Sequence, residues 1–202
     1  MTKLLLSTIA LGKCLQVENS HTLVGLTNPK SPSNVGAVMR AAGCYSVDQV
    51  LYTGQRYAHA VKYQGNKHNT DTKNARDKIP LLGVESFENI REQLEDLPQA
   101  TKIICVDLVE GATPLPHFKH PDQAFYIFGP EDGTISQTII DSADEVVYVP
   151  TVGCMNLAAS VNVLLYDRLA KSLVKHNQLE SDLTLIRKSR DTNNKVKVVN
   201  KS

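Results

Sequence analysis

Short runs of apolar and β-branched residues recur along the chain, and stretches with helical character separate them. Runs of this length between Gly, Pro, Asn or Asp residues predict buried strands. The predicted strands are Leu23–Thr27, Gln49–Thr53, Lys102–Leu108, Ala124–Phe128 and Glu145–Val149. The predicted helices are Ser33–Ala42, Ser86–Leu94, Ser136–Ser142 and Leu157–Val174. This alternation predicts an α/β fold with a mostly parallel sheet and helices on both faces.

The last of these helices has the clearest periodicity. Its apolar residues recur at the spacing of one helix face: Val161, Leu164, Leu165, Leu169 and Leu173. Such a stripe predicts a helix that packs against the sheet and closes the fold.

Two basic regions fit the predicted core poorly. The stretch Gln55–Lys78 interleaves cations with tyrosines and histidines, and the tail from Arg187 onwards is basic with few apolar residues. The plain interpretation is a solvated loop and a frayed terminus, and for the tail alone we favour it. For the loop a second interpretation stands beside this one, because cations mixed with aromatic rings suit phosphates and unstacked bases.

The length and the charge of the chain set further bounds. A chain of 202 residues is enough for one α/β domain with a sizeable core. The 22 Lys and Arg residues nearly balance the 21 Asp and Glu residues, which gives a net charge of +1. Any binding of a polyanion must therefore come from local patches rather than from the overall charge.

The cysteines and the N-terminus bear on the cellular compartment. The four cysteines are scattered, without the spacing of a zinc site or of a disulfide scaffold, so we expect reduced thiols and no metal. Lys3 precedes a short apolar run, but no small-x-small cleavage site follows it. No segment approaches the ~20 apolar residues that span a bilayer. The expected location is the cytoplasm, without membrane attachment.

The first motif that carries chemistry lies at the start of the first predicted helix. A strand ends at Thr27, a turn with prolines follows, and Ser33 and Asn34 are both suited to cap the helix. Capping leaves Arg40 unexplained, because this cation stands among Val, Met and Ala residues in the same helix. A surface salt bridge and a functional cation are both open at this position.

Two further motifs follow later strands. The stretch Ala124–Ser136 runs from an apolar strand into Gly129, Pro130 and Glu131, at the strand's carboxyl end, where open α/β sheets bind ligands. The stretch Glu145–Asp167 has a strand that stops at Pro150 and a short loop that ends at Asn156. An ordinary turn and an ordinary helix cap are the plain alternatives for these two motifs.

Together, in this order and spacing, the three motifs resemble the SpoU/TrmH branch of the SPOUT methyltransferases. The signatures of that family are N-x5-R, F-G-P-E and I-P-M…S-x-N. The matching positions are Asn34 with Arg40, Phe128 to Glu131, and Val149 and Pro150 with Cys154 and Asn156. The resemblance covers roughly residues 23–170. It implies an N-terminal extension at 1–22, a methyltransferase domain at 23–176 and a basic tail at 177–202.

The resemblance implies a fold, a cofactor and an assembly. The fold is a SPOUT-type α/β knot, whose C-terminal part is threaded into a trefoil. The cofactor is S-adenosylmethionine, held largely by backbone groups, and the assembly is a homodimer with its site near the subunit interface. The residues that would surround the cofactor are Gly129, Val149, Cys154 and Met155.

The implied reaction is methylation of a ribose 2′-hydroxyl in tRNA or rRNA. A free alcohol is a poor nucleophile, so the site must orient it and assist the loss of its proton. The family assigns the base role to Arg40, although a guanidinium holds its proton firmly and suits a phosphate or a developing alkoxide equally well. Asn34, Glu131 and Asn156 would orient Arg40 and the ribose. RNA contacts are expected from Arg56, Lys62, Lys67 and Lys73.

This sequence departs from the family pattern in the third motif. Cys154 stands where the family has Ser, and the loop before it is a few residues shorter. An alternative alignment uses Ser160 and Asn162 in place of Cys154 and Asn156. In the second motif, Gly133 stands one position closer to Glu131 than the glycine of the family pattern does.

Four other functions compete with the ribose methyltransferase. The nearest is a SPOUT enzyme that methylates an RNA base, and the next is an RNA-binding protein without catalysis, or with weak catalysis. A nucleotide-dependent dehydrogenase is disfavoured because no G-x-G-x-x-G follows the first strand. A serine hydrolase is disfavoured because the sequence has no G-x-S-x-G motif.

Overall fold

A parallel seven-stranded sheet forms the centre of the computed structural model, which describes residues 20–64, 79–94, 97–175 and 183–198. Its spatial order is β3-β2-β1-β6-β4-β7-β5, and every neighbouring pair is parallel. The strands are β1 His21–Leu26, β2 Gln49–Tyr52, β3 Leu81–Gly83, β4 Lys102–Val106, β5 Thr113–Pro114, β6 Gln123–Phe128 and β7 Glu145–Tyr148. The predicted parallel α/β fold is confirmed.

Six α-helices and one 3-10 turn connect and follow these strands in the described residues. The helices are α1 Pro32–Cys44, α2 Arg56–Gln64, α3 Ile90–Gln93, α4 Gln137–Ser142, α5 Leu157–Lys175 and α6 Leu183–Ser189, and the 3-10 turn is Leu115–His117. None of the helices in these parts of the chain combines the length and the apolar character that crossing a bilayer requires.

Alternating strand residues build a separate hydrophobic cluster on each face of the sheet. On one face, Val24, Tyr126 and Phe128 pack with residues of α1 and α5. On the other face, Phe125 and Ile127 pack with residues that include those of α3 and α4. Both sets of strand residues are buried, which explains why the strands are continuous apolar runs in the sequence.

The start of α1 differs from the prediction in a way that affects the site. The helix begins at Pro32, and Ser31 is its N-cap, with a side chain that accepts a hydrogen bond from the Asn34 backbone N–H at 3.4 Å. Proline is favoured in the first turn of a helix because it has no N–H to leave unpaired. Neither Ser33 nor Asn34 is therefore the cap residue, and the Asn34 side chain has other partners.

Two strands and two helices were not predicted. The edge strands β3 and β5 have only three and two residues, and β5 contains Pro114, so neither has a periodicity to read. The prediction of a loop at Gln55–Lys78 is wrong for its first part, because Arg56–Gln64 forms α2. Tyr57 is buried and anchors this helix, whereas the surrounding cations concealed its helical character. Residues 65–78 lie outside the described residues.

The ends of the chain are covered only in part. β1 begins at His21, two residues before the predicted strand, and residues 1–19 of the expected extension are outside the described residues. In the predicted frayed tail, α6 extends through Arg187 to Ser189. The trefoil knot stays a prediction.

Candidate active site

The carboxyl ends of β4, β6 and β7 surround one cavity at the edge of the sheet. Its walls include Gly129 and Glu131 after β6, Val149 after β7, and Cys154 and Met155 in the loop before α5. Because the strands are parallel, their carboxyl ends meet at this edge, where α/β folds bind ligands. All four predicted cofactor-binding residues therefore line the same cavity.

Asp107 shapes the floor of this cavity and was not predicted. It follows β4 directly, and its carboxylate accepts hydrogen bonds from the backbone N–H groups of Leu108 at 2.8 Å and Ile135 at 2.9 Å. A Cβ atom at Gly129 would lie only 2.9 Å from Asp107 Oδ2. The absence of a side chain at Gly129 thus lets Asp107 hold the loop after β6. An acidic residue directly after an apolar strand was the available signal in the sequence.

Glu131 is the most connected side chain at the mouth of the cavity. One carboxylate oxygen accepts from the backbone N–H of Lys30 at 2.8 Å, and the other accepts from Ser31 N–H at 3.1 Å and Asn34 Nδ2 at 3.0 Å. Burial would raise the pKa of Glu131, but the hydrogen bonds from Asn34, Lys30 and Ser31 stabilise the carboxylate, and the net pKa is lowered. Glu131 is therefore ionised at neutral pH and accepts hydrogen bonds only.

Asn156 extends this arrangement to the start of α5. Its Nδ2 donates to Asn34 Oδ1 at 2.9 Å, and its Oδ1 accepts from the backbone N–H groups of Ala158 at 2.8 Å and Ala159 at 3.2 Å. Asn156 is thus a helix cap and a link to α1 at the same time. A continuous chain of hydrogen bonds runs from α5 through Asn156 and Asn34 to Glu131.

The hydrogen bonds of Ser160 and Asn162 give less support to the alternative alignment of the third motif. Ser160 lines the cavity, but its hydroxyl donates to the Asn156 carbonyl at 3.2 Å. Asn162 is exposed, and its Nδ2 donates to the Ala158 carbonyl within the same helix at 2.9 Å. Only Asn156 joins the chain of side chains that reaches Glu131.

Arg40 is the one predicted catalytic residue that stands apart from this chain. It lies in α1 six residues after Asn34, about 9 Å along the helix axis and roughly 120° around it. Its side chain is exposed, and within the described residues it has no hydrogen bond or ion pair.

The predicted RNA-contacting residues fall into three situations. Lys62 is exposed in the last turn of α2. Arg56, the first residue of α2, is half-buried, and its guanidinium donates to the Asn28 carbonyl and to Asp132. Lys67 and Lys73 lie outside the described residues.

Cys154 is an exposed free thiol in the loop that closes the cavity. The hydroxyl of Thr151 donates to the Gly153 carbonyl at 2.7 Å and fixes the turn just before it. A thiol is a weak hydrogen-bond donor, so Cys154 contributes chiefly its backbone groups and its volume to the cavity wall.

The sequence matches one protein family over most of its length. The SpoU rRNA Methylase family matches residues 21–166. An uncharacterised tRNA/rRNA methyltransferase of Mycobacterium leprae is 27% identical over 148 residues, which are 71% of this chain and 45% of that protein. The chain thus spans less than half the length of this curated relative.

Solved structures of other proteins share the fold of this chain despite low sequence identity. The SpoU methyltransferase AviRb from Streptomyces viridochromogenes, in complex with the cofactor AdoMet, superposes with a TM-score of 0.64 at 17% identity. That match covers 79% of this chain and 60% of AviRb. A structure described as giving insights into the 2-OH methylation of C/U34 on tRNA has a TM-score of 0.62 at 19% identity. It covers 78% of this chain and 99% of that one.

Proposed function

The chain belongs to the SpoU rRNA Methylase family, and on this premise we propose that it transfers a methyl group from S-adenosylmethionine to a ribose 2′-hydroxyl of tRNA or rRNA. The observation that carries the proposal is the hydrogen-bonded chain of Asn156, Asn34 and Glu131 beside a cavity at the sheet edge. Relatives described as acting on tRNA or rRNA, and one concerned with 2-OH methylation, support the substrate class.

The residues that line the cavity are compatible with S-adenosylmethionine. Val106, Leu108 and Phe128 offer apolar contacts for an adenine ring, and Gly129, Val149 and Met155 line the wall close to the backbone. The missing side chain at Gly129, against the Asp107 carboxylate, gives the cavity a place where a ligand can approach the backbone closely. When bound, S-adenosylmethionine would supply an electrophilic methyl carbon: a C–O bond to the ribose would form as the C–S bond breaks and leaves its electron pair on sulfur.

The side chains at the cavity mouth orient the nucleophile rather than titrate. Glu131 is ionised at neutral pH and accepts three hydrogen bonds, so its role is to fix Asn34 and the turn before α1. We assign Arg40 to the ribose and its phosphate, where a guanidinium stabilises the charge that develops on the 2′-oxygen. The hydroxyl proton then leaves to solvent or to a phosphate oxygen of the substrate.

RNA recognition is proposed for the cations Lys62, Lys67 and Lys73. Lys62 lies on α2, whose N-terminus follows the carboxyl end of β2. Together with Lys67 and Lys73 it would contact phosphates without reading the base sequence. A homodimer that acts in the cytoplasm completes the proposal.

The decisive experiment is transfer of tritium from labelled S-adenosylmethionine to total tRNA and to rRNA, followed by digestion to nucleosides. We expect label in a 2′-O-methyl nucleoside of one of the two pools. Label in a base would replace this proposal with base methylation. No transfer, with RNA still bound, would favour an RNA-binding protein without catalysis.

The Arg40→Ala variant tests whether Arg40 takes part in the chemical step. Arg40 is exposed and packs little, so its loss should leave the fold and the affinity for S-adenosylmethionine nearly unchanged. Methyl transfer should fall by about 100-fold or more, the cost of removing one electrostatic stabiliser. Full activity in this variant would remove Arg40 from the reaction.

A further inference from the structure

Three loops at the carboxyl edge of the sheet converge on the guanidinium of Arg56. Its Nε and Nη2 donate to the Asn28 carbonyl, in the turn after β1, at 3.0 and 2.7 Å. Its Nη1 donates to both carboxylate oxygens of Asp132, in the loop after β6, at 2.8 and 3.0 Å. Arg56 itself begins α2, after β2. One side chain thus joins the ends of three adjacent strands.

The backbone around Asn28 is built to present its carbonyl to Arg56. Asn28 has a φ of 42°, in the left-handed region, and its N–H donates to the Thr53 hydroxyl at 3.1 Å. Gly54 follows with a φ of 72°, and a Cβ atom there would run into the Asn28 side chain. Asn tolerates this conformation better than other non-glycine residues, and here the hydrogen bond to Thr53 and the close approach of Gly54 hold it. The turns after β1 and β2 therefore fit together around this carbonyl.

Asp132 connects Arg56 to the catalytic side of the same loop. Its neighbour Glu131 accepts hydrogen bonds from the backbone N–H groups of Lys30 and Ser31, which follow Asn28 in the same turn. Arg56 Nη2 is 4.0 Å from Glu131 Oε2. Arg56 and Glu131 thus each connect the turn before α1 to the loop after β6 by hydrogen bonds.

The charges agree with this geometry. The hydrogen bond from Arg56 is the main cause that lowers the pKa of Asp132, and the charges of Arg56 and Lys30 add to it. Lys30 is a weaker partner, at 3.5 Å, with a side chain that is 65% exposed. A planar guanidinium can hold a carbonyl and a carboxylate at once, whereas an ammonium group has no such fork.

We propose that Arg56 is a positioning residue of the active site, which fixes the Glu131–Asp132 loop against the turn before α1, and that it is not a phosphate ligand. The inference rests on the proposed function and deepens it, because the loop that Arg56 holds forms one wall of the cofactor cavity. Through Glu131 and Asn34 the same contact sets the start of α1. A phosphate could recruit Arg56 only in competition with Asn28 and Asp132.

The test compares Arg56→Ala, Arg56→Lys and Asp132→Asn with the control Lys62→Ala, an exposed cation on the same helix. Calorimetry without RNA gives the affinity for S-adenosylmethionine, RNA binding is titrated at several salt concentrations, and kcat is measured with both substrates saturating. Arg56→Ala should lower kcat by about 10-fold or more and weaken cofactor binding, as expected when a catalytic loop is misplaced. Its RNA affinity and salt dependence should remain those of the wild type.

The other variants separate positioning from simple loss of charge. Arg56→Lys should recover only part of the activity. The double variant Arg56→Ala/Asp132→Asn should be no worse than Arg56→Ala alone, since both remove one interaction. Lys62→Ala should do the reverse, with weaker RNA binding, a salt dependence that is shallower by about one unit, and an unchanged cofactor affinity.

Two results would overturn the proposal. One is a lower RNA affinity with a shallower salt dependence in Arg56→Ala while kcat and cofactor binding are retained, which is the behaviour of a phosphate ligand. The other is wild-type cofactor affinity and kcat in Asp132→Asn, a variant at an exposed position that should fold even where Arg56→Ala does not. If the wild type transfers no methyl group to RNA, the proposed function fails, but the calorimetry still decides the role of Arg56.

Discussion

At the scale of single residues, the candidate site contains a carboxylate that accepts hydrogen bonds from three donors. Glu131 accepts two backbone N–H groups and one side-chain amide, and its lowered pKa keeps it ionised at neutral pH. A carboxylate with these partners is a poor proton acceptor near pH 7, because its proton affinity is reduced. We therefore expect the proposed reaction to rely on orientation and on the cation of Arg40.

Gly129 is the residue at which the smallest change should affect the cofactor. In Gly129→Ala the new Cβ would lie 2.9 Å from Asp107 Oδ2, so Asp107 must move and release its hydrogen bonds to Leu108 and Ile135. We expect about 1–3 kcal/mol less stability and a cofactor affinity about 10-fold weaker. Calorimetry with S-adenosylmethionine measures the second effect.

Gly153→Ala is the matched control for this prediction. Gly153 belongs to the loop that closes the same cavity, but a Cβ there would meet no atom within 4 Å. Its cofactor affinity should remain that of the wild type. Equal losses in the two variants would show that crowding against Asp107 is not the cause.

At the scale of elements, Asn156 has two roles that one substitution can separate. In Asn156→Asp a carboxylate oxygen still caps α5 through Ala158 and Ala159, but the group that donates to Asn34 is lost. Turning the Asn34 amide cannot repair this, because its oxygen would then face Glu131. We expect stability within about 1 kcal/mol of the wild type, since Asp is as good a cap as Asn, and a kcat lower by about 10-fold.

Asn156→Ala removes both roles and completes the comparison. It should lose a further ~1 kcal/mol of stability through the missing cap. Thermal unfolding and methyl transfer, measured on both variants, distinguish the two contributions. Undiminished kcat in Asn156→Asp would mean that the link to α1 is not needed for the reaction.

A second polar cluster joins α5 to the amino end of β6 on the same face of the sheet. His120 lies between Tyr126 Oη, 2.7 Å from Nδ1, and Asp167 Oδ2, 2.9 Å from Nε2. The Asp167 carboxylate only accepts, so the neutral imidazole carries its proton on Nε2 and Nδ1 accepts from the Tyr126 hydroxyl. Arg168 donates in turn to Tyr126 Oη at 3.1 Å, and Lys171 pairs with Asp167 at 2.6 Å.

Burial within this cluster makes stability depend on pH. Burial, supported by the charges of Arg168 and Lys171, outweighs the contact with Asp167 and lowers the pKa of His120 from 6.5 to about 4. Between these values the unfolded chain binds a proton that the folded chain does not. The free energy of unfolding should therefore decrease as the pH falls from 6.5 to 4, by up to roughly 3 kcal/mol from this group.

The control for this dependence is His120→Gln, a side chain that keeps a donor and an acceptor but does not titrate. Urea unfolding at several pH values between 4 and 7 should give a smaller slope for the variant than for the wild type. Because the other titratable residues are the same in both proteins, the difference between the slopes reports the loss of His120. Identical slopes would contradict the assigned pKa.

The elements also show how far the sequence predicted the fold. The five longer strands and the helices α1, α4 and α5 were predicted because burial gives each of them a continuous or periodic apolar pattern. Strands β3 and β5 lie at the sheet edges and are too short to carry such a pattern. The cap of α1 was misplaced by two residues or more, because Ser31, Ser33 and Asn34 are all good cap types and only tertiary contacts decide among them.

The site was predicted through its motifs, and what was missed depends on contacts between distant segments. Asn34, Glu131 and Asn156 lie up to 122 positions apart and still form one chain of hydrogen bonds. Asp107 and Arg56 belong to no motif, and only the adjacency of strand ends brings Asp107 to the cavity and Arg56 to Asp132. A cation in a basic stretch suggests a phosphate ligand until its partners are known.

At the scale of the whole molecule, Arg40 and the hydrogen-bonded chain occupy different parts of α1. Asn34 is at the start of the helix beside the cavity, whereas Arg40 lies about 9 Å further along on another side. The neighbouring helix α5, which packs on α1, exposes the apolar residues Val163 and Tyr166. Exposed apolar residues are common at interfaces between subunits, and we propose such an interface at this pair of helices, one of which carries the exposed Arg40.

A homodimer in which Arg40 serves the partner's cavity makes a prediction that a monomeric site does not. Alone, Arg40→Ala should lose about 100-fold or more of the methyl transfer, and Asn156→Ala should lose about 10-fold. In a mixed dimer, one site would contain both altered residues and the other would contain neither. Random assembly of equal amounts gives mixed dimers as half of the population, so about a quarter of the wild-type activity should return. Two affinity tags and co-expression allow the mixed dimers to be purified and assayed directly.

The mixing experiment distinguishes a site built by two chains from a site built by one. Recovered activity requires that two chains build each site, because neither variant chain contains a complete set of residues. Purified mixed dimers without activity would mean that each Arg40 acts on its own chain's cavity, which requires α1 or the substrate to bridge the distance from Asn34. A chain that sediments as a monomer at assay concentrations while it methylates RNA would remove the interface from the mechanism.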